Sequence, residues 1–492
     1  MLGQRFENLR KKTSLEALTV RGGVGLGAAY GVEHLMRLVR NIILARLLAP
    51  EDFGLMAIVL ATSSALDALT EIGVKEAVIQ NPRGQEPAYL SGAWWLALLR
   101  ASCIYLLAFA AAPWIARFYE NPSLVSLVRV AFLSALFTGA ISPRAYVAIK
   151  QMNFAHWIMI NNLGGICGIL TAIGAALVMR NVWALVIGFV AEGAARFLLS
   201  YIICPFRPKT GIDRDAWQGL FRYAFGMLGL PILTFIFLRS DIFVVGKLRS
   251  HAELGLYSMA ATLAYTPCFL LNRLIKETTM PVFSKVQHDP ARINQMLLRV
   301  TAMIAFLGLP AVFFVGLYGA DLLRIVYGSP YAAVGVPFAI IFASALMSTS
   351  SEPIATVYFA IGRPELHRLF TGIRAMAMLV LIFPAVKYFG LIGGALAGLV
   401  AMGTGYGFQI MRIRQITGLD PRRYLAIFLR ASVLSLSVVL AWFVTPRSAF
   451  VQPFPGIVLG VVGCLLAYAL AVVLYLRPKA ALSADSSSPQ AF

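Results

Sequence analysis

The segment ARLLAPEDFGLMAI, Ala45–Ile58, returns without gaps as GKLRSHAELGLYSM, Gly246–Met259. Arg46 aligns with Lys247, Leu47 with Leu248, Asp52 with Glu253, Gly54 with Gly255 and Leu55 with Leu256. Each copy is a short polar corner between two apolar runs. A second echo pairs SPRAYVAI, Ser142–Ile149, with EPIATVYF, Glu352–Phe359, through Pro143 and Pro353. Both offsets are roughly 200 residues, the scale of an internal duplication. An even number of apolar runs separates the copies of the first echo. That keeps the repeats parallel and relates them by an axis along the membrane normal.

Composition sets the surroundings of this repeat. The 492 residues are 59% hydrophobic and 13% charged, with a mean hydropathy of +0.77. A soluble domain carries about 25% charged residues, so the chain is read as an integral membrane protein. A spanning helix needs about 20 apolar residues, and about 14 segments qualify. They centre near Ala29, Ala65, Ile104, Leu133, Ile169, Ile187, Phe235, Ala264, Ala305, Leu346, Leu379, Leu399, Leu436 and Cys464. The expected fold is an all-α polytopic membrane protein of about 14 transmembrane helices, with two pseudo-symmetric six-helix lobes and two further C-terminal helices. The segments are a cytoplasmic leader (1–20), an N-lobe (21–204), an inter-lobe loop (205–221), a C-lobe (222–416), helices 13 and 14 (417–480) and a disordered tail (481–492).

The net charge of +20 would suggest nucleic acid in a soluble protein. Here Lys and Arg gather, by about three to one, on the side that holds both termini, which places both ends in the cytoplasm. No nucleic-acid partner is expected. Trp94, Trp95, Trp114, Trp157 and Trp183 fall near proposed helix ends, as interfacial anchors do. Cys103, Cys167, Cys204, Cys268 and Cys464 lie in or beside apolar runs without a CxxC pair, and are read as small buried hydrophobes.

Charges inside the spans carry the functional signal. The first run contains EHLMRLVRNIILAR, Glu33–Arg46. A charge at the bilayer centre costs about 2.5–3.5 kcal/mol on insertion scales. Glu33, Arg37 and Arg40 are spaced to share one helix face. Glu33 can pair with Arg37, which leaves Arg40 without an obvious partner. Further intramembrane charges are Asp67 and Glu71, Arg100, the i,i+4 pair Glu192 and Arg196, Arg239 and Asp241, Arg273, Lys276 and Glu277, Glu352, and Arg374. One reading is that these residues pair across helices and hold the lobes together, most readily Glu192 with Arg196. The other is a cationic central cavity for an anionic substrate, since Arg binds phosphate and pyrophosphate bidentately. On that reading Arg37, Arg40, Arg100, Arg239, Arg273 and Lys276 hold the pyrophosphate, and Glu33, Asp67, Glu71, Asp241 and Glu352 pair with them or carry a coupling proton or sodium ion.

Glycines and prolines supply the mechanics. Gly23, Gly27 and Gly31 form two GxxxG steps, and Gly394/Gly398 and Gly403/Gly407 repeat the pattern. Pro231, Pro267, Pro310 and Pro384 fall within spans and can kink or hinge them. The sequence has no GxxxxGK[ST] phosphate loop, no HExxH and no hydrolase or transferase constellation, so neither ATP hydrolysis nor a cofactor is expected.

LARLLAPEDFGLMA (Leu44–Ala57), DIFVVGKL with LGLYSMA (Asp241–Ala260) and MPVFSKV (Met280–Val286) resemble the polysaccharide transporter family. These are the Wzx-type oligosaccharide flippases of the multidrug/oligosaccharidyl-lipid/polysaccharide exporter superfamily. The resemblance is clearest over residues 15–290, with one departure: Arg249–Ser250 stands where an apolar–Gly pair is usual. It implies a multi-pass protein of the bacterial inner membrane. Such a protein moves an undecaprenyl pyrophosphate-linked oligosaccharide between leaflets by alternating access, for lipopolysaccharide or exopolysaccharide assembly. Its partners would be that lipid-linked oligosaccharide, membrane lipids, a polysaccharide polymerase and glycosyltransferases, with the chain itself a monomer. The alternatives are a cation-coupled multidrug exporter of the same superfamily, and a membrane glycan polymerase or glycosyltransferase. The arginine surplus argues against the first and the short outer loops against the second.

Overall fold

A computed structural model of the chain describes residues 31–209, 229–444, 461–466 and 468–469. The leader, Gly23, Gly27, the centre at Ala29, most of the inter-lobe loop and the tail lie outside the described residues. Among the described residues every regular element is helical. Of these, nine helices are long and apolar enough to cross a membrane, or ten if the bent pair Ser123–Gly139 and Arg144–Lys150 is one span. Each proposed centre other than Ala29 falls in a helix. Packing divides the chain into two compact units, Met1–Ser258 and Met259–Phe492.

In the first unit, α1 spans 31–47, followed by α2 (Pro50–Thr70), α3 (Val74–Gln80), α4 (Pro87–Phe118), α5 (Ser123–Ala131), α6 (Leu133–Gly139), α7 (Arg144–Lys150), α8 (Phe154–Met179), α9 (Trp183–Ile203) and α10 (Leu230–Leu248). The first turns of α11 (His251–Lys285) complete it. The unit therefore takes in α10, which the repeat assigns to the C-lobe, because α10 packs along α2.

The first echo forms two equivalent corners, α1 to α2 and α10 to α11. The Asp52 carboxylate accepts the Ala49 N–H at 3.0 Å. Its counterpart Glu253 accepts the Ser250 N–H at 3.1 Å, and Ser250 Oγ accepts the Glu253 N–H at 3.2 Å. Both acids thus sit at the third helical position and satisfy an orphan helix-start donor. Ser250, the departure from the family pattern, completes a full capping box. The corners also pack on each other. A Cβ on Gly54 would overlap the His251 carbonyl oxygen, and one on Gly255 would overlap that of Pro50. Lys247 Nζ donates to the Phe118 carbonyl at 2.7 Å and to Glu120 Oε1 at 2.8 Å, tying the second corner to the end of α4. Exposed on the loop after α4, the Glu120 carboxyl is held below its ordinary range by that Lys247 hydrogen bond and charge.

The second echo takes a different form in each unit. In the first, the chain breaks between α6 and α7, with the two flanking helical segments inclined by 56°. The broken backbone is satisfied by protein, as non-helical backbone inside a bilayer must be. Ala140 O accepts from Trp94 Nε1 at 3.2 Å and from Tyr201 OH at 3.0 Å. The Ser142 N–H donates to Ser200 Oγ at 3.0 Å, and Ser142 Oγ donates to the Cys204 carbonyl at 2.7 Å.

The second unit holds the remainder of α11, then α12 (Pro290–Val326), a 3-10 turn (Ser329–Val334), α13 (Gly335–Ala360), α14 (Pro364–Thr417) and α15 (Pro421–Val444). Here Pro353 sits within the continuous α13. α13 packs on α12 and α14, and α15 packs on α12. Asn294 and Thr417 exchange bonds of 2.7 Å between α12 and the end of α14. α14 has 54 residues, about 80 Å if straight, which is far more than a bilayer core of about 30 Å. Gly390, at φ 61° and ψ −138°, breaks it and so separates the spans centred on Leu379 and Leu399. Pro267, Pro310 and Pro384 lie inside α11, α12 and α14, while Pro231 occupies the first turn of α10. All five cysteines are free, and Cys103 and Cys167 face outward rather than lying buried, as helix faces turned to lipid can.

Candidate functional site

Close packing of α8 on α9 builds the centre of the site. A Cβ at Gly164 would overlap Arg196 Cγ, and one at Gly168 would lie 2.6 Å from Glu192 Cβ. On α9, Gly188 meets Ala172 of α8, and Gly193 would place a Cβ 2.6 Å from Ser134 Oγ of α6. These glycines allow backbones to approach as small-xxx-small motifs do in membranes. They leave Glu192 and Arg196, one turn apart on α9, inside the unit. α1 brings Glu33, Arg37 and Arg40 to the same place.

The five charged groups form one network. Arg37 Nη2 lies 3.1 Å from Glu33 Oε1 and 2.6 Å from Glu192 Oε1. Arg196 Nη2 lies 3.1 Å from Glu33 Oε1 and 2.8 Å from Glu192 Oε1. Arg40 Nη1 reaches Glu192 Oε2 only at 4.0 Å, while its Nε and Nη2 donate to Asn41 Oδ1 at 3.3 and 3.2 Å. Glu192 is the most enclosed member, with its side chain 8% exposed against 35% for Arg37. Glu33 bonds two arginines at once through a single oxygen, where spacing along the sequence offers it one. Arg40 has a partner, but a distant one.

The other candidates fall into separate places. Arg100 on α4 caps the end of α2: its Nε donates to the Thr70 carbonyl at 2.7 Å, and its Nη2 lies 3.1 Å from Asp67 and 3.7 Å from Glu71. Glu71 also accepts the Gly73 N–H at 3.0 Å. Arg100, Asp67 and Glu71 therefore form a local cluster apart from the α1–α9 network. Asp241 accepts from Tyr257 OH at 3.0 Å and from the Ile242 N–H at 2.8 Å. Arg239 is exposed at a groove of about 470 Å³ between α2 and α10, whose other lining residues include Ser64, Pro231 and Phe235.

In the second unit, Arg273 pairs with Glu277 at 2.8 Å. Lys276 Nζ sits 5.4 Å from the centre of the Phe359 ring. Glu352 on α13 lies within charge range of Lys276 and Arg374. Arg374 is buried and donates to Ser351 Oγ at 3.4 Å. Gly405, across the Gly390 break, leaves the space that the Arg374 side chain fills.

Glu192 and Arg196 are network residues that the sequence pattern pairs only with each other. The available signal for both is the glycine pair in INNLGGICG (Ile160–Gly168), which marks the helix face against which they pack.

Comparison with known proteins fits this geometry. The chain is 27% identical over 304 residues to the succinoglycan biosynthesis transport protein ExoT of Rhizobium meliloti (strain 1021), covering 60% of each chain. It is 21% identical over 408 residues to the lipopolysaccharide biosynthesis protein WzxC of Escherichia coli (strain K12), covering 81% of this chain and 80% of the relative. The match to ExoT thus spans less than two thirds of that relative's length. Among solved structures, the lipid II flippase MurJ in an inward closed conformation superposes with a TM-score of 0.75 at 14% identity, over 92% of this chain and 99% of MurJ. A multidrug resistance MATE family transporter of the MOP superfamily superposes with a TM-score of 0.61 at 14% identity, over 78% and 95%. These likenesses establish the fold. The polysaccharide biosynthesis protein family matches residues 43–335, more than half of the chain and a range that holds both packed corners and the α8–α9 crossing, so this chain is a member of that family.

Proposed function

We propose that the protein is a flippase that moves an undecaprenyl pyrophosphate-linked oligosaccharide across the bacterial inner membrane for surface polysaccharide assembly, by alternating access through a cationic cavity. The observation that carries this reading is the network of Arg37, Arg40 and Arg196 against Glu33 and Glu192, which among the described residues leaves one cation in excess between α1 and the membrane-spanning α9. An excess cation in a membrane interior is costly unless an anion joins it. Arg37 and Arg40 keep part of their side chains exposed, so a pyrophosphate can reach them and be held bidentately. The flippase-like fold and the transport relatives support a transporter rather than an enzyme.

Energy for outward movement comes partly from the membrane potential, at about 2.3 kcal/mol per charge per 100 mV with the interior negative. A coupling proton or sodium ion acting through Asp67, Glu71, Asp241 or Glu352 adds to it. Both termini are cytoplasmic on this reading, with the glycosyltransferases acting before transport and the polymerase after it.

Reconstituted proteoliposomes with a fluorescent lipid pyrophosphate-linked oligosaccharide test the proposal. Label should become accessible to an impermeant quencher with time, and lipid pyrophosphate should compete while ethidium-like cations should not. The MATE-like fold makes a multidrug exporter the second reading; competition by such cations and not by lipid pyrophosphate would establish it. Extension of the glycan chain would instead reveal an enzyme.

A further inference from the structure

We infer that Glu192 is a resident counter-ion that occupies the arginine cluster until a phosphate-bearing substrate displaces it, and so sets both how tightly the substrate binds and how readily it leaves. This rests on the reading that the cluster receives an anionic head group.

Two features distinguish Glu192 from an ordinary glue residue. The first is its connectivity. One carboxylate serves all three arginines: Oε1 lies 2.6 Å from Arg37 and 2.8 Å from Arg196, and Oε2 faces Arg40 at 4.0 Å. Its two oxygens occupy the space between guanidinium groups of different helices, where a substrate phosphate would have to sit to bind Arg37 and Arg40 together. The second is its anchorage. Its Cβ lies against Gly168, where a methyl group would come within 2.6 Å, and its side chain is 8% exposed. The backbone of α9 is held there by the Gly188–Ala172 contact. The Cβ of Glu192 is therefore fixed against α8, while its carboxylate, two bonds further out, can turn aside for a phosphate and turn back.

The chemistry follows from charge balance. Arg37 and Arg196 each also hold Glu33 Oε1 at 3.1 Å, so they stay partly neutralised if Glu192 is released. Among the described residues, Arg40 bonds only the neutral Asn41 amide besides its long contact to Glu192. An incoming phosphate gains most at Arg40 and next at Arg37, and it must compete there with a tethered carboxylate. Once the phosphate departs, the carboxylate is at hand to take the arginines back. Removing one partner of a desolvated charge pair leaves the other uncompensated; a resident carboxylate prevents this between transport cycles. The counter-ion thus lowers affinity and speeds release.

The full chain in lipid nanodiscs, titrated with inorganic pyrophosphate by calorimetry, tests this. The parental protein should bind pyrophosphate, and Arg40→Gln should abolish that binding. Glu192→Gln removes the competing charge but keeps the side-chain shape, and should bind about tenfold more tightly, on the scale of one desolvated charge pair. In proteoliposomes it should show a lower KM and a lower turnover, a split that a purely structural residue would not produce. Glu192→Asp, which withdraws the carboxylate by one methylene from a fixed Cβ, should lie between the two; it carries the test if the Gln variant fails to fold. Arg40-dependent binding that is unchanged or weakened in the folded Glu192 variants would overturn the counter-ion and leave the proposed substrate site standing. Absence of Arg40-dependent binding in every protein would overturn both.

Discussion

Gly54 and Gly255 meet at a crossing of α2 and α11 so close that each faces the carbonyl oxygen of the residue that opens the opposite helix, His251 for Gly54 and Pro50 for Gly255. The two contacts are the same contact seen from either side of the repeat. Gly54→Ala and Gly255→Ala should each push the corners apart and destabilise the protein by about 1–3 kcal/mol, the usual cost of overpacking. Their double variant should cost less than the sum, because one displaced crossing relieves both clashes. Thermal unfolding of the purified variants checks this; parental stability in either single variant would contradict the packed corner.

The two acids of the same corners should act as helix caps and nothing more. Asp52→Ala and Glu253→Ala are each expected to cost about 1 kcal/mol of stability. Transport per folded molecule should be unchanged. A variant of either acid that keeps full stability but stops transport would move these residues from capping to coupling.

Arg37 and Arg40 should separate stability from transport. Arg40 has the looser attachment, with Glu192 at 4.0 Å, so Arg40→Ala should abolish or strongly reduce flipping with little loss of stability. Arg37 bonds both glutamates, so Arg37→Ala should lose flipping and also about 1–3 kcal/mol, the cost of leaving buried charged acceptors short of a donor. Lys at either position should rescue in part, keeping the charge without the bidentate geometry. Quantitative flipping assays beside unfolding curves decide the matter, and parental transport in both Ala variants would make the arginines structural.

Gly168 should tolerate no side chain. Gly168→Val places branches where Glu192 Cβ already stands; it should separate α8 from α9 and lower the yield of folded protein, with a stability loss of about 1–3 kcal/mol. Gly174, on the same helix but with open space around it, should accept Ala with little effect. Expression and unfolding midpoints of the pair would show whether the crossing is as tight as described.

Much of this architecture is legible in the sequence because a bilayer imposes simple rules. Each span must be long and apolar, so centres such as Ile104, Ala264 and Leu436 can be placed from hydropathy alone. The repeat is legible for a more local reason: Asp52 and Glu253 cap, and Gly54 and Gly255 cross, so both copies of the motif meet the same steric and hydrogen-bonding demands. The motif that carries the family resemblance is therefore a packing motif. The site is only partly legible. Spacing along α1 places Glu33, Arg37 and Arg40 on one face, yet it cannot say which distant helix faces them. Glu192 and Arg196 satisfy each other in sequence as an i,i+4 pair, which hides their bonds to α1. Arg100 looks the same as Arg37 in sequence, and only three-dimensional placement shows it capping α2.

The unequal treatment of the second echo has a mechanical consequence. In the first unit the segment is split, with a 56° bend whose carbonyl and amide groups are held by side chains of α4 and α9. In the second unit the matching segment is one continuous helix with Pro353 inside it. Side-chain hydrogen bonds can be exchanged one at a time, whereas a helix with a single internal proline keeps most of its intrahelical ladder and can give only beside that residue. The two halves of a symmetric design thus differ in compliance, and deformation under load would collect at Ala140–Pro143 before it reached Glu352–Phe359.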